Sequence, residues 1–153
     1  MEFDRVDCFG KISVRIPRTW VESEDEEEDT CGFYDPAGYS GTLRVSLFRN
    51  ERDKPFTPEM LQEEDFADRN EENVKFFRKE DYVFAEWNRP AKNENVHMYF
   101  WTASAAVTPK LTRKALFSYA VSPELLHKPE FETNYNMVRD CVFAVHFMAE
   151  KAN

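Results

Sequence analysis

Glycine and long apolar runs are both scarce in this sequence. Only 4 of its 153 residues are glycine, which excludes collagen-like repeats, glycine-rich phosphate loops and dinucleotide-binding fingerprints. Nowhere does an apolar run approach the roughly 18 residues of a transmembrane helix, so we expect no membrane span. The first twenty residues contain no apolar stretch after a basic start, and we therefore expect no signal peptide.

Residues that bind metals or act as nucleophiles are also few. The three cysteines, Cys8, Cys31 and Cys141, are odd in number and widely spaced. Exported small domains more often carry an even set, so we expect a cytoplasmic protein. Neither the cysteines nor the three histidines show the close sequence pairs of a zinc site. Cys141 lies in an apolar segment, where burial makes a thiol inert. We expect no catalytic residues, no metal and no cofactor.

Negative charge is abundant and concentrated in one segment. The formal net charge is −9, and seven acidic residues lie between positions 22 and 29. Because like charges at this density repel and cannot pack in a core, we predict an acidic loop at 22–30. Nucleic acid and membranes are therefore not expected partners. The loop is simply solvated, docks on a basic protein surface or, as the least favoured alternative, binds a metal ion. The residues that would dock are Glu24, Asp25, Glu26, Glu27, Glu28 and Asp29.

Alternation of polar and apolar residues predicts a mainly β structure. Hydrophobic residues make up 42% of the chain and aromatic residues 15%, which excludes a disordered protein. The clearest pattern is at Ile12, Val14 and Ile16, which alternate with polar neighbours. The predicted strands are Gly10–Ile16, Cys31–Tyr34, Gly41–Phe48, Val74–Lys79, Tyr82–Asn88, Val96–Ala106 and Lys114–Val121.

Two helices are predicted from their start signals. Thr57 is a typical N-cap before Pro58 and Glu59, and the first helix is predicted from Pro58 to about Asn70. Lys128-Pro129-Glu130 opens the second helix, and residues 142–147 fit either its continuation or a strand. The buried stripe predicted for the second helix is Phe131, Tyr135, Val138 and Val142.

The order of elements predicts an α+β fold. Strands outnumber helices and are joined mostly by hairpins, so we expect an antiparallel sheet of about six to seven strands. Apolar side chains occupy both faces of the middle strands, and one helix packed on each face is the economical way to cover them. No repeat or change of composition divides the chain, so residues 1–153 are predicted to form a single domain.

Two short motifs bear a family resemblance. Ile16-Pro17-Arg18-Thr19-Trp20 ends one strand, and a Gly-x-Leu-x-Val-Ser strand runs from Gly41 to Ser46. Together with the segment from Met137 to Phe143, this order resembles the fold superfamily of the photosystem protein PsbP and the Mog nuclear-import factor. Many bacterial members are small domains of unknown function, and some are chaperones for secreted toxins. The resemblance implies an antiparallel sheet between helices and protein binding rather than catalysis; the matching motif is structural and implies no binding residue.

The aromatic residues are the main functional indication. The chain has 14 Phe, 6 Tyr and 3 Trp, and Tyr and Trp are preferred anchors of protein interfaces. Trp87 shares its strand side with apolar residues and is predicted to face a helix. Trp101 lies on a more mixed side and is predicted to be an exposed contact. The candidate interface residues are Tyr99, Trp101, Tyr39 and Tyr119; their alternative role is packing in the core.

These observations favour a non-enzymatic protein-binding domain, such as a chaperone, adaptor or neutralising partner. The first alternative is a small-molecule binder or enzyme with a pocket between sheet and helix. The second is a structural homodimer. A concave pocket with converging polar groups would favour the small-molecule alternative, whereas a shallow apolar surface would favour protein binding.

Overall fold

The structure is a computed structural model that describes residues 1–23, 30–37, 41–68, 73–91 and 95–149, with side chains described for all of these except 65–68. The described residues form ten strands and three helices. In chain order they are β1 (Phe3–Cys8), β2 (Ile12–Pro17), β3 (Val21–Ser23), β4 (Thr30–Tyr34), β5 (Thr42–Glu51), α1 (Pro58–Asp68), β6 (Lys75–Lys79), β7 (Tyr82–Pro90), β8 (His97–Thr108), β9 (Leu111–Val121), α2 (Pro123–Leu126), α3 (Glu130–Phe143) and β10 (His146–Phe147).

The strands form a seven-stranded antiparallel sheet with the order β3-β4-β5-β9-β8-β7-β6. This confirms the antiparallel sheet and the α+β class predicted from the sequence. The predicted hairpin between β6 and β7 is present, with Lys79 paired to Tyr82 and Glu80 in the left-handed region at φ 58°. Six of the seven predicted strands belong to this large sheet.

The seventh predicted strand, β2, lies in a separate three-stranded sheet with the order β1-β2-β10. The prediction of one sheet was therefore too simple. Ile12, Val14 and Ile16 of β2 are buried as predicted, and they join residues of the large sheet in one core cluster. β1 escaped prediction because most of its side chains are exposed or half-buried and show no regular alternation, and β10 has only two residues.

The two longer helices, α1 and α3, contact different strands. Leu61 of α1 is buried, and α1 contacts β7 and β8. A bidentate ion pair joins Arg52 to Glu64 in the middle of α1, with N–O distances of 2.5 and 2.7 Å, and a second ion pair joins Arg78 to Glu59 near its start at 2.9 Å. α3 contacts β2 and α2. Within the described residues, no helix is both long and apolar enough to cross a membrane.

Residues 142–147, which fit either helix or strand, contain both. α3 ends at Phe143, and the backbone N–H of Ala144 donates to the carbonyls of Asp140 and Cys141. Val145 then leads into β10, where His146 pairs with Ser13. The apolar run continues across this boundary because both the last helical turn and the short strand bury side chains in the same core.

Candidate functional site

A cavity lies where the end of β9 meets α2 and α3, and we call it the α2–α3 cavity. Its volume is about 500 Å³. β9 contributes Tyr119 and Val121, and the short helix α2 contributes Leu125. The turn after α2, the first part of α3 and the end of β4 complete the wall. The lining residues are Asp35, Tyr119, Val121, Leu125, Lys128, Glu130, Phe131 and Asn134.

Aromatic rings support the α3 side of this cavity. Phe131 lies 5.8 Å from the ring of Tyr99 and stacks at 5.8 Å on Tyr135, one helical turn further along α3. Tyr135 in turn contacts Tyr99 at 4.8 Å and Trp101 at 5.9 Å. Burial raises the pKa of Tyr135 to about 12, with Glu86 adding to the effect. Burial also raises the pKa of Tyr99, so both phenols are neutral at physiological pH.

Tyr119 connects the cavity to the start of β5. It is almost completely buried, and its hydroxyl oxygen accepts a hydrogen bond of 3.2 Å from the backbone N–H of Gly41. A Cβ atom at Gly41 would collide with the backbone carbonyl oxygen of Ala120. Glycine is therefore required for β5 to approach β9 this closely beside the cavity.

The polar groups of the cavity carry both signs of charge. Asp35 and Glu130 provide carboxylates, Lys128 an ammonium group and Asn134 an amide. Asp35 is held by its own loop, because its Oδ1 accepts a hydrogen bond of 2.9 Å from the backbone N–H of Ala37. An apolar floor with a few charged groups at the wall suits a ligand that has an apolar body and a polar end.

The structure brings three of the four predicted interface residues together around α3. Tyr119 lines the cavity, Tyr99 packs behind it on Phe131, and Tyr99 and Tyr119 are directly paired across β8 and β9. Trp101 has no exposed surface, so the prediction that it is an exposed contact was wrong. Trp87 is buried as predicted. Tyr39 and the acidic residues 24–29 lie outside the described residues.

Sequence reasoning missed most of the cavity because it missed α2. Ser122-Pro123-Glu124 has the same order of N-cap, Pro and acid that identified α1 at Thr57-Pro58-Glu59. This signal would have placed a helix start directly after β9. Asp35 follows the predicted strand Cys31–Tyr34, and its place in the wall depends on the pairing of β4 with β5.

All three cysteines are buried, and none of them is in a disulfide. Burial raises the pKa of Cys141 to about 11, and it raises the pKa of Cys8 further. Cys141 contacts the sulfur of Met137 at 3.9 Å. Among the described residues, no group of three or more His, Cys, Asp or Glu side chains is arranged to hold a metal ion.

Comparison with known proteins places the chain in a family. A crystal structure of a protein from Bacteroides thetaiotaomicron VPI-5482 is similar, with a TM-score of 0.58 and 15% identity over 91% of this chain. The match covers 46% of that protein, so this chain spans less than half its length, and at this identity the likeness concerns the fold alone. No curated protein matches. Residues 6–107 match the model of a domain of unknown function, DUF3805. The chain belongs to the DUF3805 family.

Proposed function

We propose that this protein is a non-catalytic ligand-binding domain, and that the α2–α3 cavity holds a small organic molecule with an apolar body and a polar end. The observation that carries the proposal is the cavity itself. Its volume of about 500 Å³ falls within the range of roughly 300–1,000 Å³ that is typical of small-molecule sites. This favours the small-molecule alternative over the protein-binding hypothesis that the sequence put first.

The lining explains which ligands would fit. Leu125 and Phe131 are half-buried and present apolar surface to the body of the ligand, and covering that surface removes apolar area from water. Tyr119 and Val121 form the buried layer beneath them. Lys128 would pair with an anionic end, and Asp35 or Glu130 with a cationic end. The eight lining residues include neither a thiol nor an imidazole, and Tyr119 provides the single hydroxyl. The lining therefore offers no pair of a thiol or hydroxyl nucleophile with an imidazole base.

A protein partner is the second candidate, because the residue before Asp35 belongs to an exposed apolar pair. Tyr34 precedes Asp35 and pairs with Val21 of the edge strand β3; their side chains are 39% and 40% exposed. A partner could cover this pair and insert one apolar side chain into the cavity. The acidic segment 22–30 joins the same two strands and would then meet a basic rim on the partner. A homodimer would use the same surface.

A matched pair of variants tests the ligand-binding proposal. Asn134→Trp would fill the cavity, whereas Asn136→Trp places the same bulk at an exposed position on the same helix. We expect amphipathic fragments from a small-molecule library to raise the melting temperature of the wild type and of Asn136→Trp, but not of Asn134→Trp. Amide shift changes in NMR spectra should cluster on residues 119–134.

Two results would contradict the proposal. Equal binding to Asn134→Trp and the wild type would place the ligand elsewhere. If no fragment binds, while a native protein partner co-purifies and loses affinity with Asn134→Trp, the second candidate would replace the first. Analytical ultracentrifugation distinguishes this partner from a second copy of the chain.

We also infer that the large sheet carries one helix on each face, as in the PsbP/Mog superfamily. Phe77 and Arg78 are neighbours in β6, so their side chains point to opposite faces. The ring of Phe77 meets Phe143 of α3 at 5.6 Å, whereas Arg78 pairs with Glu59 of α1. An experimental structure with α1 and α3 on the same face would contradict this inference.

A further inference from the structure

A small cavity between the two sheets is lined by three cations, and we call it the basic cavity. Its volume is about 210 Å³, and its lining residues are Lys11, Leu47, Phe48, Arg49 and Arg113. Lys11 lies in the turn between β1 and β2 of the small sheet, whereas Arg49 and Arg113 belong to β5 and β9 of the large sheet. Three positive residues from separate segments of the chain therefore meet at one cavity. Among the described residues that line it, none is acidic.

Strand pairing holds Arg49 and Arg113 side by side. They are direct partners across β5 and β9, so their side chains lie on the same face of the large sheet. Leu47, two residues before Arg49, shares that face and is buried. Arg113 is only 4% exposed although it is charged. Like charges directly opposite each other in a sheet repel, and an anion bound beside them would reduce this repulsion.

We propose that the basic cavity is an anion site that binds a phosphate group, either as inorganic phosphate or as part of a small phosphate ester. Guanidinium groups match the geometry of phosphate oxygens, and a lysine adds a compact positive charge. The cavity is smaller than the roughly 300–1,000 Å³ of typical small-molecule sites, so it suits one charged group rather than a whole ligand. A neighbouring cavity of about 410 Å³ shares Phe48, Arg49 and Arg113 with it and leaves room for the organic part of an ester.

Arg49 also has an ion pair within the protein. Glu51 lies 2.7 Å from Arg49, and the side chains of Arg49 and Glu51 are 46% and 69% exposed. An exposed pair of this kind contributes little to stability, so phosphate can displace Glu51 at little cost. The formal net charge of the chain is −9, so its overall field does not attract anions. Binding of phosphate would therefore indicate a local site.

The basic cavity is separate from the α2–α3 cavity. Tyr119 and Val121 of the α2–α3 cavity lie near the end of β9, whereas Arg113 lies near its start. The α2–α3 cavity has its own cation, Lys128, and an experiment must distinguish the two places.

The test uses the full chain, with inorganic phosphate and glycerol phosphate as probes. Isothermal titration at constant ionic strength, with chloride as the reference anion, measures the dissociation constant of each probe. We expect saturable binding of at least one probe, and the tighter of the two identifies the source of the phosphate group. Amide shift changes in NMR spectra should cluster on residues 11, 47–49 and 113.

Variants of the two exposed cations test the assignment. Arg49→Gln and Lys11→Gln should each weaken binding about tenfold, because each removes a charge-assisted hydrogen bond. Lys110→Gln is the matched control, since it removes the same charge from the exposed turn between β8 and β9. It should change the affinity less than about twofold, because salt screens a charge outside the cavity. Arg113 is left unchanged, because a buried side chain also supports the fold.

Three outcomes would overturn the proposal. Absence of saturable binding of either probe, relative to chloride, would show that the cavity is not an anion site. Equal weakening by all three variants would show that the anion responds only to the general field of the protein. Amide shift changes confined to residues 119–134 would place the anion at Lys128 in the α2–α3 cavity, and the basic cavity would then be excluded while the proposed function is retained.

Discussion

The indole Nε1 of Trp101 donates a hydrogen bond of 2.7 Å to the carboxylate of Glu86, its direct partner across β7 and β8. Arg139 of α3 donates to the same oxygen at 2.6 Å, and the Glu86 side chain is only 13% exposed. The indole N–H therefore has a partner inside the protein, and the whole ring can be buried without loss of a hydrogen bond. This explains why a residue expected at the surface lies in the core.

Truncation of either tryptophan should destabilise the protein severely. The sequence alone predicts a severe loss of stability for Trp87→Ala and a mild loss for Trp101→Ala. With Trp101 at 0% and Trp87 at 6% exposure, we now expect both to lower the free energy of unfolding by about 3–5 kcal/mol. Urea denaturation of the two variants measures this.

Trp101→Phe is the control for the hydrogen bond. It keeps an aromatic ring but removes the N–H, so it should cost clearly less than Trp101→Ala. A mild effect of Trp101→Ala would contradict the observed burial. Equal, severe losses at both positions would mean that these aromatic residues serve the core and give no support to protein binding.

Replacement of Phe9 by asparagine should stabilise the protein. Phe9 and Gly10 both have positive φ, at 61° and 66°, in the turn that Lys11 closes by donating to the carbonyl of Cys8 at 3.1 Å. Asn-Gly is strongly preferred at the centre of such turns, and a bulky residue there is strained. Phe9 is 43% exposed, so little buried area is lost. We expect a gain of about 1 kcal/mol.

A thermal melt of Phe9→Asn should therefore show a rise of roughly 2–4 °C. Phe48→Asn is the matched control, because Phe48 is 52% exposed but lies in β5. It should give no gain, since asparagine is disfavoured in strands. A loss of stability in Phe9→Asn would indicate that packing of the phenyl ring outweighs its backbone strain.

Because of His97, the free energy of unfolding should decrease as the pH falls below about 6.5. Burial lowers the pKa of its imidazole, which lies 2.9 Å from Asn88 Oδ1 and packs on Tyr99. In the unfolded chain the pKa returns to about 6.5, so the unfolded state binds the proton more readily. Stability therefore falls as the pH falls through this value, until the folded imidazole is also protonated.

Melting temperatures at pH 7.5 and 5.5 check this. His97→Gln should lose less stability between the two pH values than the wild type does. His127→Gln, at an exposed position after α2, should follow the wild type. An unchanged pH dependence in His97→Gln would exclude this histidine as the cause.

Replacement of residues 24–29 by Gly and Ser should leave the melting temperature almost unchanged. Dense like charges repel and are not expected to contribute packing. The prediction concerns residues outside the described part of the chain and depends on their charge alone. A fall of several degrees would show that the acidic segment is docked or binds an ion. A lower melting temperature of the wild type at high salt would agree with such a fall, since screening weakens a docked ion pair.

The strands and the class of fold were accessible from the sequence because they depend on local pattern. Ile12, Val14 and Ile16 alternate with polar residues, and this alone predicts a half-buried strand. Thr57-Pro58-Glu59 predicts the start of α1 for an equally local reason. By contrast, β1 carries no such pattern, because the side chains of Asp4 and Arg5 are exposed and only Cys8 is fully buried.

The sequence by itself determined which segments form strands and which form helices, since periodicity and capping are properties of neighbouring residues. The tertiary structure decided what those segments face. The sequence alone suggests that Glu86 is a surface acid, but in the fold its carboxylate accepts hydrogen bonds from Trp101 and Arg139. The sequence likewise suggests that Tyr119 is an interface residue, but in the fold it lines a cavity together with α2 and Phe131. Both outcomes depend on contacts between residues far apart in the chain, and local pattern carries no information about which distant partner satisfies a buried polar group.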